Sequence, residues 1–122
     1  MQIAEGAKGM ELNKYQEFVQ TTAAYPNRGD NIIYPVLGLC GEAGEVSEKI
    51  KKLWRDDSIT EGNKIPSEKK LEIVKELGDV LWYVASIASE IGYSLESVAS
   101  ANIEKLLSRK QRGTLSGSGD NR

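Results

Sequence analysis

Apolar residues recur at helical spacing over four stretches of the chain, and no stretch alternates apolar and polar with the period of a strand. The first stretch covers 11–24, with Leu12, Tyr15, Phe18, Val19 and Thr22 on one face. It ends before Tyr25-Pro26, because the residue preceding a proline avoids the helical region. The second covers 32–54. Pro35 suits its first turn, where a missing N–H costs nothing, and Val36, Leu39, Cys40, Ala43, Ser47, Ile50 and Trp54 make its stripe. The third covers 67–91, with Ser67 as N-cap, Glu68 in the first turn and Gly92 as the stop. The fourth covers 95–110, behind Ser94. PNRGDN and RDDSITEGNKIP separate the first three helices, and the tail, 111–122, ends in the Gly/Ser-rich GTLSGSGDNR. The pattern predicts one all-α domain over 1–122, a four-helix bundle.

Two helices carry carboxylates three residues apart, Glu42/Glu45 on the second and Glu76/Asp79 on the third. At that spacing each pair projects from one helix face. On the second helix alone, Glu42, Glu45 and Glu48 also read as a solvated face beside Lys49, Lys51 and Lys52. The third helix changes that balance. Leu71, Val74, Leu77, Val80, Leu81, Val84, Ala85, Ile87, Ala88 and Ile91 take more than half its circumference. The strip left for Glu72, Lys75, Glu76 and Asp79 continues into Trp82, Tyr83 and Ser86, which a solvated strip should not do. The acids are therefore expected to face another element or a cleft. Four crowded carboxylates do not all stay ionised without a counter-charge. An oxygen-only donor set points to Mg²⁺, with Mn²⁺ as a substitute.

The fourth helix is anomalous in the opposite sense. Its stripe runs through Leu95, Val98, Ala99 and Leu106, but Asn102 falls in its middle, Arg109 stacks above, and Lys105 sits at its edge. A polar residue at a core position needs a partner. One reading has Asn102 bonded to backbone and the two cations snorkelling to water. The other turns Asn102, Lys105 and Arg109 into the cleft of the acids, which describes a site for Mg²⁺ and a polyphosphate.

Composition narrows the chemistry. The chain has no histidine and one cysteine, so triads built on imidazole, Cys/His zinc sites and intramolecular disulfides are excluded. The net charge of −2 implies no strong attraction to nucleic acid, although residues 105–122 alone carry +4. No apolar run suits a membrane span or a signal peptide, so a cytoplasmic setting is expected. With 39% apolar residues the core is modest, and burial against a second copy would help.

GLCGEAGEVSEKIKK followed by KELGDVLWYVASIA resembles the MazG-like branch of the all-α nucleoside triphosphate pyrophosphohydrolases. The signature is E-x-x-E on one helix and E-x-x-D on the next, here Glu42/Glu45 and Glu76/Asp79. ANIEKLLSRKQRG resembles the family's N-x-x-K-x-x-x-R segment at Asn102, Lys105 and Arg109, and GSGDNR is similar to the tail of some small members. Gly41 stands where many members have a further Glu, and the 55–66 loop makes the interval between the acidic motifs long.

The resemblance implies hydrolysis of a (deoxy)nucleoside triphosphate to monophosphate and pyrophosphate, Mg²⁺ dependence, a homodimer or homotetramer with sites at subunit interfaces, and nucleotide-pool house-cleaning. Glu42, Glu45, Glu76 and Asp79 would hold metal, and Glu45 or Glu42 would activate water. Lys105 and Arg109 would take phosphate, Asn102 the sugar or a phosphate, with Lys51, Lys52 and Arg112 in reserve. Trp54, Trp82 and Tyr83 would either stack on a base or pack between helices, packing being the plainer reading. Relatives of the same fold that act on dUTP, dCTP or phosphoribosyl-ATP fit the same metal site. A non-catalytic helical dimerisation module and a metal-binding protein without turnover are rivals from other classes, and neither accounts for Asn102, Lys105 and Arg109 beside the acids.

Overall fold

The computed structural model describes residues 7–56 and 64–120. The described residues form the helices α1 (Leu12–Thr22), α2 (Ile33–Asp56), α3 (Ser67–Glu90) and α4 (Leu95–Gln111), and contain no strand. The predicted loop over 55–66 lies in large part outside them, at 57–63, as do the last two residues of the tail.

Local chemistry sets the helix ends. Pro66, not Ser67, caps α3: its backbone is extended and its carbonyl accepts from the N–H groups of Lys69 and Lys70. The α3 stop is as expected, with Gly92 at φ +77° and the Tyr93 N–H donating to the carbonyl of Ala88. Ser94 caps α4 by accepting from the Ser97 N–H at 3.0 Å. Two α1 side chains extend that cap. Gln16 Oε1 accepts from the Leu95 N–H at 2.8 Å, and Asn13 Oδ1 from the Glu96 N–H at 3.0 Å. Orphan donors of α4 thereby tie α1 to the α3–α4 turn.

α3 is the central element. α1 and α4 pack on it and on each other, whereas α2 meets α3 alone. The core lies on the α1–α3–α4 side, where Val19, Ala85 and Leu95 are buried and Tyr15, Trp82 and Val84 pack around them. α2 runs antiparallel to α3, and one register joins Gly38 to Tyr83, Glu42 to Asp79 and Lys49 to Glu72. The bundle is therefore not closed among the described residues.

Several expected core positions turn out to be exposed. Phe18 faces outward from α1. The α2 stripe is rotated: Cys40 is exposed, as are Val36, Ile50 and Trp54, the face that meets α3 runs instead through Gly38, Glu42 and Lys49, and the buried residues of α2 are Pro35 and Leu53. On α3, Ala85, Ser86 and Ala88 are buried, but Leu71, Val74, Leu77 and Leu81 are not. The physical reason is the open architecture: among the described helices α3 alone packs against α2, and much of the apolar surface of both helices is left exposed among the described residues.

Candidate metal site

Antiparallel packing of α2 on α3 brings Glu42, Glu76 and Asp79 together. One carboxylate oxygen from each lies within 4.8 Å of the others. Glu42 and Glu76 are half-buried and Asp79 is exposed. Among the described residues, none of the three forms an ion pair with a lysine or arginine. Burial pushes the Glu42 carboxyl above its ordinary value, and the charges of Asp79, Glu76 and Glu45 push it further. Each oxygen is a hard donor, and no basic side chain among the described residues neutralises the cluster. That combination fits Mg²⁺ or Mn²⁺. Glu45, expected as a fourth ligand, is exposed and outside the trio; its charge reaches Glu42 from the next turn of α2.

The strip beyond the acids turns inward. Ser86 is fully buried, and its hydroxyl has no hydrogen-bond partner. Trp82 packs at the core and donates its indole N–H to Thr22 Oγ1 at 2.8 Å, the helix-packing role that is the plainer of its two readings. The Tyr83 ring meets Trp82 edge-on, with centroids 5.0 Å apart, and fills the space beside Gly38. Burial raises the Tyr83 hydroxyl pKa, followed by Tyr34, Glu42 and Asp79. Burial, and then Asp79, also raises that of Tyr15, a neighbour of the site that periodicity assigns only to the core. Gly38 is the other residue missed, although a glycine in mid-helix is a signal of close approach.

The polar and basic trio of α4 is elsewhere. Asn102 and Lys105 line a cavity of about 450 Å³ with Ile91, Tyr93, Val98 and Ala101. Because α2 and α4 do not touch, the chain does not itself bring these groups to the acids. Arg109 corrects the expectation more sharply. Its side chain is only 4% exposed, neither snorkelling nor open to a ligand. The tail folds back over it: Arg109 donates to the Asp120 carbonyl at 2.8 Å, its Nε has no partner, and the Asp120 carboxylate lies 3.5 Å from it and 3.9 Å from Lys105 Nζ. The Thr114 N–H secures the fold-back on the Arg109 carbonyl. Lys51, a reserve phosphate contact, is paired with Glu48 at 2.9 Å.

Among the described residues no helix is long and apolar enough to cross a membrane. No solved structure matches the chain significantly. Gene 37 protein of Mycobacterium phage L5 is 43% identical over 119 residues, spanning 93% of this chain and all of that protein. The uncharacterized protein YvdC of Bacillus subtilis (strain 168) is 33% identical over 114 residues, 89% of this chain and 96% of its own length. The model of the MazG nucleotide pyrophosphohydrolase domain matches residues 35–114, from the first turn of α2 into the tail, and so covers all three clustered acids. The chain belongs to the MazG nucleotide pyrophosphohydrolase family.

Proposed function

We propose that the protein hydrolyses (deoxy)nucleoside triphosphates to nucleoside monophosphate and pyrophosphate in the cytoplasm, as a house-cleaning activity on the nucleotide pool. The observation that carries this reading is the trio Glu42, Glu76 and Asp79, three uncompensated carboxylates on facing helices. They would hold Mg²⁺, with Mn²⁺ as a substitute. A bound divalent cation supplies charge neutralisation at the phosphates and a more acidic water. Glu45, exposed and one turn away, accepts the proton as water attacks the α-phosphorus. The bond from that phosphorus to the bridging oxygen breaks, and pyrophosphate leaves with the electron pair. Lys105 and Asn102 hold phosphate and sugar. Arg109 serves them indirectly, by holding the tail beside Lys105.

α4 reaches the acids from a second copy in this reading, within a homodimer or homotetramer. The α2 surface supports it: Ile33 is 68% exposed, Leu37 66% and Trp54 62%, large apolar groups along a helix that packs on α3 alone among the described helices.

The test is pyrophosphate release from a panel of ribo- and deoxynucleoside triphosphates, with and without Mg²⁺. Asp79→Ala and Glu45→Ala are expected to abolish release with helicity retained. Undiminished release by both variants, or turnover in a chelator, would overturn the assignment. Light scattering should give a dimer or tetramer.

A further inference from the structure

α2 and α3 carry the glycines Gly38, Gly41, Gly44 and Gly78, each unfavourable in a helix relative to alanine. A methyl group added at Gly41, Gly44 or Gly78 meets nothing within 4 Å. At Gly38 it would lie within 2.6 Å of Cδ1, Cε1 and Cζ of Tyr83. The ring therefore occupies the room of a missing side chain, and the two helices stand as close as a backbone and a ring permit. The ring also meets Trp82 edge-on at 81°, and Trp82 is itself hydrogen-bonded to Thr22 of α1.

This notch stands one helical turn from the carboxylates on both helices. Glu42 follows Gly38 by four residues, and Asp79 precedes Tyr83 by four. Residues at that spacing share a helix face. In the antiparallel register the turn after the notch pairs Glu42 with Asp79, whose oxygens lie within 4.8 Å together with one from Glu76. The separation of the acids across the seam thus follows from the separation of the helices at the notch.

We infer that Gly38 and Tyr83 are positioning residues for the divalent cation, their contact setting the distance of Glu42 from Glu76 and Asp79 and hence the size of cation the trio accepts. The inference rests on the metal reading above. Mg²⁺ takes oxygens at about 2.0–2.1 Å and Ca²⁺ at about 2.3–2.6 Å, so a seam forced apart loses the smaller ion first.

The experiment is calorimetric titration of the full chain with Mn²⁺, Mg²⁺ and Ca²⁺, with Mn²⁺ paramagnetic resonance as a second readout. Gly38→Ala is expected to weaken Mn²⁺ and Mg²⁺ about tenfold, the scale of a lost supporting contact at a metal site, and Ca²⁺ by less. Tyr83→Phe, which keeps the ring, should bind as the wild type does. Tyr83→Ala should weaken binding, and Gly38→Ala combined with Tyr83→Ala should lose less than the two losses multiplied, since the new methyl enters the vacated room. Gly44→Ala is the control and should leave all three affinities unchanged.

Unaltered affinity in both Gly38→Ala and Tyr83→Ala would overturn the inference. So would independent losses in the double variant, or an equal loss in Gly44→Ala. Should Gly38→Ala fail to fold, Tyr83→Ala and its Mg²⁺-to-Ca²⁺ ratio decide the matter alone, an unchanged ratio counting against the notch. A wild-type chain that binds none of the ions sinks the metal reading and the notch together. A wild type that binds while its notch variants bind equally sinks the notch only.

Discussion

Glu42, in the seam of α2 and α3, and Glu90, at the end of α3, are the same residue in opposite surroundings. Glu90 is filled by the fold. It accepts from the Tyr25 hydroxyl, from the Gly29 N–H at 2.9 Å and from the Asn31 N–H at 3.1 Å, with Arg28 nearby. The Tyr25 bond first, and then the two backbone bonds, hold its carboxyl below the ordinary value. The Tyr25 hydroxyl is pushed up to about 12 by burial and by that glutamate. Glu42 has the reverse: burial and three other acids, which push it up. A carboxylate whose acceptor capacity is met by local donors pins a loop, here 26–31. A carboxylate ringed by its own kind gains nothing from its neighbours, and a divalent cation would relieve it. The partners, not the residue type, separate structure from function.

The sharpest way to break that contrast is to remove one acid of each kind. Glu42→Gln should abolish metal binding and pyrophosphate release while leaving the metal-free protein as stable as the wild type or more so, because a repulsive charge is gone. Glu90→Gln should do the opposite. An amide keeps one acceptor oxygen and loses the other, so a backbone donor of the loop is orphaned at about 1–3 kcal/mol. Urea unfolding should show that loss, and activity per folded molecule should be unchanged. If Glu42→Gln destabilises and Glu90→Gln silences the enzyme, the two roles have been assigned the wrong way round.

A smaller effect follows from pH. The native pKa of Glu90 is depressed below the ordinary 4.5, so its contribution is fully present above that value and is lost as pH falls through the native one. The groups facing it are Tyr25, which stays protonated throughout that window, and the guanidinium of Arg28. Acid unfolding of the wild type should therefore be steeper than that of Glu90→Gln, and the two stabilities should converge at low pH. Parallel curves would show that the loop anchor does not depend on the charge.

Much of this was legible in the sequence, and the remainder was hidden for identifiable reasons. Helix positions follow from periodicity and from Gly92 and Ser94, because caps and stops are local chemistry. Spacing plus a helix apolar over most of its surface points to Glu42, Glu45, Glu76 and Asp79, of which Glu42, Glu76 and Asp79 come together and Glu45 does not. The face of α2 was not legible. The residues that meet α3 include a glycine and charged side chains, whereas Val36, Cys40, Ile50 and Trp54 look like a core stripe and point away from it. Periodicity reports which face is apolar, not what covers it. The partners of Glu90 lie 59 to 65 residues away along the chain, at a separation no local pattern encodes.

Asp120 supplies a third case, neither crowded nor filled. Its side chain is 90% exposed, with cations at 3.5 Å and 3.9 Å, so water already satisfies most of it. Exposed pairs of this kind contribute about 0–1 kcal/mol. The tail is held instead by the Asp120 carbonyl on a guanidinium that is almost wholly buried. Asp120→Asn keeps that carbonyl and should change stability by less than about 0.5 kcal/mol. Arg109→Ala removes the buried donor and should cost several times more, with the tail becoming sensitive to protease while the helices remain. Equal losses in the two variants would mean that the carboxylate, not the backbone, anchors the tail. Solvent would then have been the wrong reason to set Asp120 apart from Glu90.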